Sequence, residues 1–164
     1  SSYVKTYHYW NTYKSCDGSS YNGHAQGLTK YISSPLVLEP EDDAATVNWG
    51  SGWRMPTRED WIELSDSGKC TWTWTSINGI KGWKVQSKIT GYTDKYIFLP
   101  AAGYRSSSLY SGQPGTIGKY WSSSLESTQL YQGNTAHIFN INGGYYQDMT
   151  IERYYGLSVR PVTE

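Results

Sequence analysis

The stretch Trp53-Arg54-Met55-Pro56-Thr57-Arg58-Glu59-Asp60-Trp61-Ile62-Glu63-Leu64 decides how this chain is read, because several independent local signals agree there. Gly50 and Gly52 interrupt what precedes it. Pro56 fixes its own φ and pushes Met55 into an extended conformation. Thr57 is placed to cap a helix, and Asp60, three residues on, is an acidic counterpart of the capping box. Glu59 and Asp60 put negative charge in the first turn, near the positive end of the helix dipole. Trp61, Ile62 and Leu64 form an apolar stripe, and Gly68 offers a stop. The stretch predicts an extended segment that turns sharply into a short amphipathic helix. It carries no catalytic pattern.

Upstream, Leu36–Trp49 reads as a first helix. Pro40 suits its first position, Glu41, Asp42 and Asp43 fill its first turn, and Ala44, Ala45, Val47 and Trp49 form its buried side. Glu39, Glu41, Asp42 and Asp43 also have the composition of a calcium cluster. The dipole accounts for these acids without a metal. Residues 1–31 are polar, aromatic and irregular, with turn signals at Asp17-Gly18 and Asn22-Gly23 and one extended segment at Val4–Tyr9.

Downstream, Thr71–Lys88 reads as a β-hairpin turning at Asn78-Gly79. Strict alternation sets Trp72 and Trp74 on one face, as core or cross-strand partners or as a sugar-stacking platform with Trp83. Tyr96–Leu99 is a short strand ended by Pro100. Residues 106–118 are a Ser- and Gly-rich loop, of the kind that carries binding on a rigid scaffold. Lys119–Ser124 is a strand. Ala136–Ile141 and Tyr145–Ile151 form a second hairpin around Asn142-Gly143-Gly144, with Ile138 and Asn140 on one face and Phe139 and Ile141 on the other. Leu157–Val162 is a final strand. The outline is two helices plus a twisted antiparallel sheet with long loops, an α+β domain.

A chain of 164 residues is expected to form a single domain across 1–164. Its net charge of zero argues against nucleic acid or an anionic membrane held by general electrostatics. No run of 18 apolar residues occurs, and no signal-peptide pattern opens the chain. The aromatic content is skewed to 16 Tyr and 8 Trp against 2 Phe. Phe packs in a core without needing a hydrogen-bond partner, whereas Tyr and Trp favour half-exposed positions and interfaces. The two cysteines, Cys16 and Cys70, either pair in an oxidising compartment or stay as thiols.

The central stretch resembles the start of the second helix in the formylglycine-generating-enzyme type of C-type lectin-like fold. The chain end, Arg153-Tyr154-Tyr155-Gly156-Leu157-Ser158-Val159-Arg160-Pro161-Val162, is similar to the Gly-aromatic-x-Val-Arg final strand of that superfamily. Leu99-Pro100-Ala101-Ala102-Gly103-Tyr104-Arg105 and Tyr120-Trp121-Ser122-Ser123-Ser124 resemble the paralogous surface domains of Fibrobacter and Bacteroides-type bacteria. The second of these also resembles the variable proteins diversified by retroelements. The resemblance spans residues 36–162. An earlier Ala-rich strand usual in the family is absent, so Val4–Tyr9 replaces it or the domain is trimmed. The resemblance implies an irregular N-terminal segment at 1–35, a scaffold at 36–102 and a ligand-display half at 103–164.

The enzyme's catalytic cysteines do not carry over, because no Cys follows Cys70. His8, His24 and His137 lie in no hydrolase motif, and no metal-ligand spacing or phosphate loop is present. The expectation is a protein without catalytic activity and without a cofactor. Calcium-bridged sugar binding is a minor alternative, since Gln113-Pro114-Gly115 lacks the carboxylate of the calcium-lectin loop. The diversified relatives recognise ligands through their C-terminal half. Here that half mixes Tyr with small polar residues, as antibody paratopes do. The expected ligand contacts are Tyr110, Tyr120, Tyr131, His137, Asn140, Tyr145, Tyr146, Asp148, Tyr154 and Tyr155. The partner is a protein or glycan on another surface, and the location is extracellular or at the bacterial cell surface. The alternatives are a lectin-like module stacking sugars on Trp or Tyr, and a structural module of a fimbria or repeat array.

Overall fold

In the computed structural model, Thr57 closes the start of a helix at Arg58–Leu64 with the reciprocal bonds that its spacing to Asp60 predicts. Its hydroxyl accepts from the Asp60 N–H at 3.2 Å, and its own N–H donates to the Asp60 carboxylate at 2.7 Å. The structure describes residues 8–21, 24–32, 36–106, 109–110, 114–126 and 133–163. Val4–Tyr7, the turn at Asn22-Gly23 and Tyr131 lie outside them. The side chains of His24 and Tyr110 are likewise outside the description.

The helices are α1, Ala44–Trp49, and α2, Arg58–Leu64. The strands are β1 Ser20–Tyr21, β2 His24–Ala25, β3 Trp53–Arg54, β4 Cys70–Ile77, β5 Ile80–Ser87 and β6 Tyr96–Pro100. They continue as β7 Arg105–Ser106, β8 Leu109–Tyr110, β9 Ile117–Leu125, β10 Thr135–Asn142, β11 Tyr146–Glu152 and β12 Val162–Thr163. Two three-stranded antiparallel sheets dominate, ordered β4-β5-β6 and β11-β10-β9. The class is mixed: two helices and antiparallel sheets, mostly strand, among the described residues.

α1 is shorter than the expected Leu36–Trp49. Pro40 lies in a turn in which the Asp42 and Asp43 N–H groups both bond the Glu39 carbonyl. Asp43 is the cap: its Oδ1 accepts from the N–H groups of Ala45 and Thr46 at 2.8 and 3.0 Å. Its carboxylate also accepts from the Met55 N–H at 2.8 Å, which ties α1 to the segment leading into α2. Residues 36–38 run beside β9 instead: Val37 bridges Ser124, and the Leu38 N–H donates to the Ser123 carbonyl at 3.0 Å. α2 ends at Ser65, ahead of Gly68.

The hairpin at 70–87 forms as expected. Asn78 and Gly79 both have positive φ (52° and 80°), the geometry of a two-residue turn matched to strand twist. Trp74 and Trp83 are cross-strand partners. The Trp72 indole donates to the Leu64 carbonyl at 3.0 Å, and the Trp83 indole donates to the Asn142 carbonyl at 2.7 Å. These tryptophans therefore join the hairpin to α2 and to the β10–β11 turn.

The expected strand at Leu157–Val162 is mostly unpaired. Ser158 makes a parallel bridge to Tyr120, and only Val162–Thr163 pairs, with Trp53–Arg54. Pro161 has no N–H to give a ladder. The chain end thus runs along β9 and closes on the segment just before α2.

The β9–β11 sheet is covered on both sides. On one side Trp61 of α2 stacks on Phe139, with ring centroids 4.8 Å apart at 7°. Those rings share a cluster with Val85, Leu99, Tyr120 and Ile141. A second cluster holds Tyr31, Leu125 and Ala136, with Leu38 and Trp121 against it. Gly118 lets β9 approach the end of β6, since a Cβ there would sit 2.8 Å from the Pro100 carbonyl oxygen.

Candidate functional site

The residues expected to contact a ligand fall into an interior set, a polar network and two aromatic groups. Tyr120 is 3% exposed, and its hydroxyl donates to the Pro100 carbonyl at 2.5 Å. Burial pushes that phenol well above its ordinary pKa. Asn140 is 5% exposed. Both are buried, contrary to the expectation that they stand ready to contact a ligand. Alternation along β10 set Asn140 on the face opposite Phe139, but elements cover the sheet on both sides, so neither Asn140 nor Tyr120 has an outward face.

Tyr145 and Tyr146 part company at the β10–β11 turn. Tyr145 is 48% exposed. Tyr146 stacks on Trp72 at 4.1 Å and 19° and meets the edge of Trp83 at 5.3 Å. It packs against the main core cluster. The same stack covers a face of Trp72, which was one arm of the expected sugar platform.

His137 and Asp148 lie on neighbouring strands beside α2. Arg58 Nε donates to Asp148 Oδ2 at 2.8 Å, and His137 Nδ1 lies 3.2 Å from Asp148 Oδ1. His137 Nε2 is 3.5 Å from Glu126 Oε2. The imidazole is thus set between two carboxylates. Nearby serine hydroxyls bond the backbone instead: Ser124 Oγ accepts from the Arg58 N–H, and Ser122 Oγ accepts from the Ser124 N–H.

Tyr154 and Tyr155 stack on each other at 4.7 Å and 22° just past the end of β11. Tyr154 also packs edge-on against Trp10 at 5.1 Å and against Tyr9 at 5.1 Å. Tyr155 lies 6.1 Å from Tyr104, and Lys119 Nζ sits 3.9 Å over the Tyr104 ring. The result is a ladder of half-exposed rings whose inner end is the fully buried Trp10. Burial, followed by the hydrogen bond to Tyr155, raises the Tyr154 phenol. The expected contacts left out Tyr104 and Lys119 on this surface and Trp10 beneath it. For Trp10 the density of aromatics in residues 1–31 was the available signal. β11 rises about 3.3 Å per residue, which sets its two ends roughly 20 Å apart. Tyr145 and the ladder are therefore separate patches.

Of the four acids read through the helix dipole, Asp43 caps α1, and the other three precede the helix and serve a lysine. Glu39, Glu41 and Asp42 bring carboxylate oxygens within 4.8 Å of one another. Lys30 Nζ lies among them, 2.6 Å from Glu39, 3.4 Å from Glu41 and in close contact with Asp42. Tyr31 and Lys14 also donate to Asp42, at 2.7 and 3.1 Å. An ammonium thus stands where a hard cation would be held. Cys16 and Cys70 are free thiols. Among the described residues no helix is long and apolar enough to cross a membrane.

No protein-family model matches the chain, and neither the curated proteins nor the solved structures contain a significant match to it.

Proposed function

We propose that this is a non-enzymatic ligand-binding domain of C-type lectin-like architecture, working at or outside the bacterial cell surface. The observation that carries the reading is the ladder Tyr154–Tyr155–Tyr104 with Lys119 at its end. Rigid aromatic side chains give contact area at low entropic cost, and a cation over a ring adds a polar handle at the rim. The ladder is seated on Trp10 and on the ends of paired strands, so little ordering is needed on binding. Exposed Tyr145 is a second contact point on the same half of the chain. Sugar stacking on Trp72, Trp74 and Trp83 is the weaker reading, because those rings already pack against one another or on Tyr146.

The test uses arrays of glycans and of bacterial and host surface proteins, probed with and without chelator. The expected result is chelator-insensitive retention on protein spots. Tyr104→Ser with Tyr155→Ser should weaken that retention about tenfold or more, as loss of aromatic anchors does. Chelator-sensitive glycan signals would favour the calcium lectin, and retention unchanged in the double variant would remove the ladder from the site.

A further inference from the structure

The second core cluster borders a cavity of about 370 Å³ on the side of the β9–β11 sheet away from α2. That size sits near the small end of the ~300–1,000 Å³ range of ligand pockets. Leu38, Met55, Trp121 and Val159 give it apolar walls. Arg153 lines it as well, and this side chain is anomalous. It is 6% exposed. Its Nε is buried without a hydrogen-bond partner among the described residues. Nη1 and Nη2 share one acceptor, the Lys30 carbonyl, at 3.4 and 3.3 Å. The guanidinium also lies 5.4 Å from the Tyr13 ring centroid. Among the described residues no carboxylate pairs with it. Asp42, on the same cavity wall, is already taken by Lys30, Lys14 and Tyr31.

A guanidinium has five donors in a planar fork and stays charged, so burying it half-satisfied is costly. Burial lowers its pKa accordingly. Among the described residues its partners are the Tyr13 ring face and one shared carbonyl, and neither carries a formal negative charge. A bound anion would supply the missing acceptors.

We propose that this cavity binds a small monocarboxylate with an apolar body, its carboxylate on Arg153 and its body against Trp121, Met55 and Leu38. A planar carboxylate matches the fork. The largely buried Asp42 carboxylate on the wall disfavours a dianionic phosphate, because each added negative charge meets it at reduced dielectric. The proposal is independent of the display reading, since it uses none of the ladder residues.

The test is titration of the full, nitrogen-15-labelled chain with 4-phenylbutyrate, its neutral amide and phenyl phosphate, following the Arg153 Nε–H resonance and the melting temperature. The carboxylate should give a saturable shift of that resonance and raise the melting temperature. The amide should bind roughly tenfold or more weakly, the scale of a charge-assisted hydrogen bond. Arg153→Lys should weaken binding similarly. Val47→Trp keeps the test open if that variant does not fold. Val47 is 62% exposed at the cavity rim, so a larger ring there should close the mouth and abolish binding in a folded protein. Equal binding of acid and amide, an unsaturable response, unchanged binding in Val47→Trp, or tighter binding of phenyl phosphate would each overturn the proposal.

Discussion

Asp42 and Asp43 are sequence neighbours with different work. Asp43 caps α1 and also accepts the Met55 N–H, so one buried carboxylate satisfies three backbone donors from two segments. Asp43→Ala removes the cap and leaves the Met55 N–H buried without an acceptor. It should cost about 2–4 kcal/mol in urea denaturation, with Asp43→Asn in between because it keeps one acceptor oxygen. Asp42 instead anchors an ion network. The Lys30 ammonium, then Tyr31, hold its carboxyl well below the ordinary 3.8. A depressed folded pKa means the contribution is whole above the ordinary value and is lost as pH falls toward the folded one. Lys30 is shifted upward by the same contact, so its share persists through neutral pH and fails only under strong alkali. Stability measured from pH 5 down to pH 2 should therefore fall less steeply in Asp42→Asn than in the wild type. Equal slopes would show that the network does not couple to folding. Composition pointed to this cluster of acids but assigned it to the helix dipole. Its true partner, Lys30, is distant in sequence, and no local pattern links the two.

At the scale of elements, legibility followed the range of the forces involved. The α2 cap, the Asn78-Gly79 turn and the β10–β11 hairpin are set by residues within four positions of one another, and each forms where its local signals lie. The start of α1 was misread because Pro40 and Asp43 are both acceptable openings, and the choice was made by Met55, whose N–H needs the Asp43 carboxylate. The last strand was misread because its hydrophobic alternation is real but its partners, Tyr120 and Trp53–Arg54, offer only a single bridge and a two-residue ladder. The turn allows a clean test of the local argument. Gly79 has φ of 80°, and a Cβ there would meet nothing within 4 Å. Gly79→Ala therefore carries backbone strain without a clash and should cost about 1–2 kcal/mol in equilibrium denaturation. A much larger loss would mean that the turn packs on something.

For the whole molecule, the question is whether recognition and packing use different tyrosines. Alternation says which side of a strand a residue faces, but what covers that side is a tertiary fact. Tyr120 and Asn140 were therefore assigned to the surface although the sheet is enclosed on both sides. The adjacent pair Tyr145 and Tyr146 separates the two roles within one hairpin. Tyr146 is wedged between Trp72 and Trp83 and packs on the cluster that holds α2 to the sheet, so its ring links both sheets and the helix. Removing it opens a partly buried cavity and should cost roughly 2–4 kcal/mol, as aromatic truncation near a core does. Tyr145 stands in solvent beside it, and its truncation should stay within about 0.5 kcal/mol, the usual range for surface changes. The display reading adds a converse expectation for binding: Tyr145→Ala weakens retention on protein spots with the melting curve unmoved, whereas Tyr146→Ala lowers the melting temperature whatever it does to retention. A Tyr146→Ala protein that melts like the wild type would detach the hairpin from the core and undo the division between frame and contact surface.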